Sequence, residues 1–208
     1  MKNHFAAFTA VVLIGLAPHV LAASSTDLTV TGTITPVACM PTLPNGGVVD
    51  FGKIAARDLN LTSDTILEPK TLNLEVNCPA TALLAAQLFD NRKGTASLIA
   101  PWAFGLGLIN GTQKLGHYTM FTERAEADGM PGQAIVSLDQ GASWSTNIIL
   151  RSDHYLAVAA SDDWSKPVAV QNMKIQLNLT AAIARADGLD LSNEVSLDGS
   201  TTFEVKYL

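Results

Sequence analysis

Residues 28–34 alternate strictly: Leu28, Val30, Gly32 and Ile34 share one face, and threonines fill the other. A period of two, with β-branched residues and no charge, predicts a strand. Gly32 is the odd member, since a strand glycine often marks close approach by another surface. Pro36 cannot donate to a ladder, so the run stops there or changes partner. Beyond it the phase slips, with Val37 and Cys39 on odd positions. The pattern alone suits both an ordinary first strand of a sandwich and a strand meant for another molecule.

The same reading continues along the chain. Residues 40–47 hold two prolines and two glycines and predict a loop, and residues 48–54 predict a short strand interrupted by Gly52. The cleanest alternation covers residues 70–78, with Leu72, Leu74, Val76 and Cys78 on one face, so Cys78 points into a core and Pro79 closes the strand. Residues 80–89, 102–109, 116–122, 133–138, 144–151 and 154–160 are further strand candidates between turn signals. In residues 168–183 the apolar set passes from Val170 to Met173, Ile175, Leu177 and Leu179, a phase shift that predicts a bulge. Residues 189–197 are a weaker strand, and Asp198-Gly199 is a hairpin-type turn. The last strand places Phe203, Val205 and Tyr207 on one face. Many short strands between turns predict an all-β sandwich.

The first residues change the picture of where this sandwich works. Lys2 is a short basic region, residues 5–16 are apolar, and Val20-Leu21-Ala22 has the small-residue character of a cleavage site, so residues 1–22 read as a signal peptide. Cutting after Ala22 or Ala23 fits equally well. The apolar run is too short for a membrane span. The exported remainder, roughly 185 residues, is of single-domain length. Without Lys2 the 13 basic residues fall to 12 against 19 acidic ones. Those charges are dispersed with no basic patch, so nucleic acid is a poor partner. Cys39 and Cys78 form an even pair in an oxidising compartment, which favours a disulfide over a metal site.

Little in the chain points to catalysis. Of four histidines only His117 and His154 survive signal cleavage. His154 follows Asp153, with Asp162 and Asp163 nearby, but the spacing matches no metal or acid–base motif. Gly141-Ala142-Ser143-Trp144-Ser145 breaks the nucleophile-elbow pattern at its last position. No enzymatic activity, cofactor or metal is expected. Trp102, Trp144 and Trp164 could stack on sugars, but scattered tryptophans more often serve a core or its rim. The three Asn-x-Thr acceptors at Asn60, Asn110 and Asn178 are short enough to occur by chance.

Taken in order, four features resemble the subunits of chaperone–usher pili, and most closely the beta-fimbria-type major subunits of Gram-negative bacteria. They are the run Leu28, Val30, Gly32, Ile34 before a Pro and a Cys; residues 48–54; residues 70–78 ending on the second Cys; and a terminal strand with Tyr207 as penultimate residue. The glycine that pilins often carry about fourteen residues from the end is absent here, where Glu194-Val195-Ser196 stand. The resemblance implies an immunoglobulin-like β-sandwich, incomplete and completed by a donated strand. Residues 23–35 would be the N-terminal extension, its donor strand carrying Leu28, Val30, Gly32 and Ile34, and residues 36–208 the pilin-like domain. Phe203, Val205 and Tyr207 would form the groove-edge strand that a periplasmic chaperone pairs with. The implied partners are that chaperone, an outer-membrane usher and copies of the chain itself or sister pilins, joined head to tail. Assembly in the periplasm would end in a cell-surface fimbria supporting adhesion. A self-contained exported β-sandwich adhesin or periplasmic binding module is the alternative, and an exported enzyme on a β-scaffold is a more distant one.

Overall fold

The alternation over residues 70–78 does form a strand, and a longer one than expected. A computed structural model describes residues 26, 28–32 and 38–208. Its strands are β1 (Met40–Thr42), β2 (Thr65–Ile66), β3 (Lys70–Ala82), β4 (Leu84–Asp90), β5 (Phe104–Gly105) and β6 (Leu108–Ile109), followed by β7 (Gln113–Lys114), β8 (Gly116–Ala127), β9 (Met130–Ser137), β10 (Tyr155–Ala159), β11 (Val170–Ile183) and β12 (Thr201–Tyr207). The only helices among the described residues are short 3-10 turns. The fold is all-β, as the alternation predicts. The chain divides into two compact units, Met1–Thr35 and Pro36–Leu208. The signal segment and Ile34 lie outside the described residues.

In the larger unit every strand pairing is antiparallel, in the order β1-β3-β11-β8-β9-β10-β4-β12, with β2 added to β11 and β5 to β8. β9 turns the corner between layers. Its first residues, Met130 to Gly132, pair with β8, and its remainder pairs with β10. The path therefore curls into a nearly closed sandwich with β1 and β12 as its two terminal strands. Leu72, Leu74 and Val76 of β3 and Ile175 and Leu177 of β11 face Leu84, Leu88, Leu156 and Val158 of the other layer in one buried core. The disulfide Cys39–Cys78 ties the segment entering β1 to β3. The bulge in β11 falls between Val170 and Asn172, where the carboxylate of Asp128 accepts both released amides, from Gln171 (2.9 Å) and Asn172 (2.7 Å).

Several sequence expectations are corrected. Residues 48–54 and 189–197 form no strand, and residues 144–151 make no ladder, pairing with the sheets only through isolated bridges, Phe121 with Ile149 and Val136 with Ser145. Asp198-Gly199 is consequently not a hairpin turn, because no strand precedes it. The expected loop at residues 40–47 contains β1. β3 runs through Pro79 rather than stopping before it; the register to β11 jumps from Asn77 to Ala82, so Pro79 sits where no ladder partner asks for its missing N–H. Cys78 is half-buried and packs against the core. Residues 28–32 are in no strand, and Leu28 and Val30 are 89% and 86% exposed.

Candidate functional site

The two terminal strands of the sheet path do not pair with each other. β1 pairs only with β3, and β12 only with β4, so each has a free edge among the described residues. A groove opens between them and runs along the core. One wall is residues 47–54, whose positions 49–54 make no backbone–backbone hydrogen bond among the described residues. The Asp50 carboxylate accepts from the Gly52 amide at 2.7 Å, and Gly52 takes φ +68°, a turn that keeps this wall irregular. Val49 and Phe51 nevertheless pack onto the core, and the Lys70 ammonium lies 5.8 Å from the centre of the Phe51 ring.

The opposite wall is the approach to β12 and β12 itself. Arg92 grips Asp198 through two hydrogen bonds of 2.8 and 2.7 Å, which hold the Asp198 carboxyl below the usual carboxylate range. The Asn91 side chain donates to Ser200 and Thr202, both at 2.9 Å. This wall is thus fixed to the turn after β4. Phe203 and Val205 are half-buried against the core, and Tyr207 is half-exposed.

Three adjoining cavities follow the groove. The first, about 360 Å³, lies between Thr42, Leu43, Leu74 and Phe203. The second, about 130 Å³, is floored by Leu72, Tyr118, Met120 and Leu179. The third, about 570 Å³, opens between Ile54, Leu115, Ile183 and Val195. Tyr118 stacks on Phe104 at 5.3 Å, shares a 2.5 Å hydrogen bond with Thr201, and is pushed by burial up to about 12, so it stays a neutral phenol. Core side chains therefore line a slot bounded on one side by the free edge of β12 and on the other by residues 49–54, which make no backbone–backbone hydrogen bond among the described residues.

The disulfide is present at the expected pair. Phe203, Val205 and Tyr207 share β12 along one side of the slot. The acidic residues near His154 in sequence are engaged elsewhere: Asp153 pairs with Lys93 at 3.0 Å, and Asp163 accepts from Ser165. His154 itself is 2% exposed with no partner on either ring nitrogen. His117, also buried, meets Ser97 at 3.1 Å. Sequence reasoning missed the contact that joins the groove's two sides at the disulfide end, where the Cys39 amide donates to the Tyr207 hydroxyl at 2.7 Å. The two residues are 168 positions apart, and no local pattern signals it.

A family model matches part of the chain. It is described as a protein of unknown function, DUF1120, and covers residues 28–101. That stretch takes in the N-terminal alternation, both cysteines and β1 to β4. The chain is also similar to protein GltF of Escherichia coli K12, at 28% identity over 89% of each chain. The uncharacterized protein YhcF of the same organism is 25% identical over 90% of this chain and 92% of its own.

Proposed function

We propose that the chain is a structural subunit of a chaperone–usher fimbria, polymerising by donor-strand exchange and supporting surface adhesion. The observation that carries this reading is the slot between two unpaired edges, lined by core side chains, in a chain whose N-terminal segment has strand alternation but no strand among its described residues. Leu28, Val30 and Ile34 of one copy would fill the slot of the next, with the backbone pairing to β12. Main-chain bonds supply affinity and alternate side chains specificity, a mode for which chaperone–pilin complementation is a standing example. Burying those three side chains contributes roughly 5–9 kcal/mol as an upper bound. Each copy gives one strand and receives one, a heterologous contact that does not close and so yields a filament. Before assembly, a periplasmic chaperone would cover the same edge of β12, and an outer-membrane usher would carry the exchange. The product would stand on the cell surface.

Gly32 provides the test. Among the described residues nothing lies within 4 Å of where a Gly32 side chain would begin, so Gly32→Val is expected to be tolerated by its own chain. Inside a neighbour's slot the branched side chain would overpack a core, which costs about 1–3 kcal/mol. Gly32→Val, or deletion of residues 24–33, is expected to leave the chaperone-bound subunit intact and abolish the ladder of detergent-resistant oligomers from unboiled surface extracts. Normal ladders from Gly32→Val would refute the donor role. A monomer that folds and persists without a chaperone would favour the self-contained adhesin or binding module.

A further inference from the structure

We infer that Tyr207 is a positioning residue that ends the groove and sets the register of the strand occupying it; this rests on the proposed strand exchange and names a device within it. Tyr207 is in phase with Phe203 and Val205, the two β12 side chains that pack on the core. At the end of that row its hydroxyl accepts from the Cys39 amide, so one side chain crosses from β12 to the chain entering β1. An occupant strand pairing with β12 has to lie between those two edges, and the ring stands where its backbone would continue. The cavity nearest this end is lined by Thr42, Leu43, Leu74 and Phe203, and neither Cys39 nor Tyr207 contributes to it.

Both anchors of the crossing are held in place. The disulfide fixes Cys39 to β3, and the Leu208 amide donates to the Leu83 carbonyl at 3.0 Å, which holds the end of β12 against the start of β4. The crossing is therefore a fixed stop. Register matters because the occupant's apolar face repeats at period two: a slip of one residue would turn Leu28, Val30 and Ile34 to solvent, and a slip of two keeps them inward but moves Gly32 out of place. The sheet pattern alone rejects the first slip. The second meets only the overpacking of Val30 or Ile34 at the position meant for Gly32, and an end stop adds a second barrier against it. The occupant is residues 28–34 of a second copy, because this segment carries the matching alternation and its apolar residues Leu28 and Val30 are exposed.

The test reads register directly in the assembled full-length chain. Thr31→Cys, on the polar face of the extension, is combined in turn with Thr202→Cys, Glu204→Cys or Lys206→Cys on β12, and covalent oligomers are read on non-reducing denaturing gels. Directly opposed strand residues are close enough to form a disulfide, whereas those displaced by two positions are not. With Tyr207 present, one of the three combinations should dominate. With Tyr207→Ala that preference should be lost, the combination displaced by two positions appearing alongside. If Tyr207→Ala does not accumulate, Tyr207→Leu decides on the same criterion, because it keeps an apolar side chain on β12 and removes both the ring and the bond to Cys39. A single dominant pairing that survives in the variant overturns the inference, as does mixed pairing with Tyr207 intact. Oligomers with no cross-link in any combination overturn the strand-exchange reading along with it.

Discussion

Acidification should weaken this domain through one buried side chain, His154. The ring is 2% exposed, neither nitrogen has a hydrogen-bond partner, and the neighbouring Arg151 has a buried Nε that is also unpartnered. The backbone on either side is clamped to β4, since the Asp153 amide donates to the Leu88 carbonyl at 2.7 Å and the Leu88 amide to the His154 carbonyl at 3.1 Å. The imidazole has little freedom to turn outward. Burial first, and the Arg151 charge second, push its pKa from 6.5 down to about 4, with Asp153 opposing weakly. A folded-state value below the unfolded one means that the unfolded chain takes the proton more readily. The stabilising contribution is complete above pH 6.5, is lost as pH falls from 6.5 toward 4, and changes no further below that. A gap of about 2.5, at 1.36 kcal/mol each, corresponds to roughly 3 kcal/mol. His154→Met fills a similar volume without a titrating group. Urea unfolding of the full chain at steps from pH 7.5 to 4 should show the wild type losing stability relative to His154→Met across that window. Parallel curves for the two proteins would refute the reasoning.

Two further outcomes follow from the sandwich. Replacing both Cys39 and Cys78 by Ser removes a cross-link spanning 39 positions, which on the chain-entropy estimate costs roughly 4 kcal/mol. The denaturant midpoint should fall accordingly, and reduction of the wild type should reproduce the fall. Gly116→Ala places a methyl 2.1 Å from the Ala182 carbonyl oxygen at the β8–β11 contact, an overpacking expected to cost about 1–3 kcal/mol. An unchanged midpoint would mean that the two strands separate more readily than their long ladder implies.

The strands that alternation located are those whose side-chain period and backbone pairing coincide. Residues 70–78 and 116–122 lie in β3 and β8, residues 133–138 and the terminal run lie in β9 and β12 except for their last residues, and the phase shift after Val170 marked a true bulge. Where the expectations failed, burial and pairing part company. Leu189, Leu191, Val195 and Leu197 alternate well enough to suggest a strand, yet they pack on Ile109, Leu115 and Ile183 from a segment without a ladder. Trp144 covers Ala85, Ile135, Ala157 and Ala159 on the outer side of the second layer from an irregular loop. Period two records which side chains are buried, and a sequence carries no direct record of which backbone groups find partners. The bond from Cys39 to Tyr207 belongs to the same blind spot, because it depends on how the sheet path curls back on itself.

The misread segments at residues 48–54 and 189–197 are both parts of the groove walls, and this coincidence has a physical basis. A segment that shows strand periodicity but makes no ladder has satisfied its side chains and left much of its backbone without a ladder partner. Val49 and Phe51 lie on such a segment, and facing it across the slot is the free edge of β12, with its own row of unpaired groups. Water can solvate these groups only while the slot stays open, and an open slot leaves Leu72, Tyr118 and Leu197 lining an incompletely filled cavity. Closing the walls on each other would bury the apolar side chains but force two irregular edges to pair directly. One extended strand laid between them meets both demands at once: its backbone pairs with β12, and its alternate side chains fill the cavities. Among the described residues, Leu28 and Val30 are the exposed apolar pair on a segment with that alternation. The odd feature of the N-terminus and the odd feature of the domain are, on the proposed function, two halves of one contact made between copies of the chain.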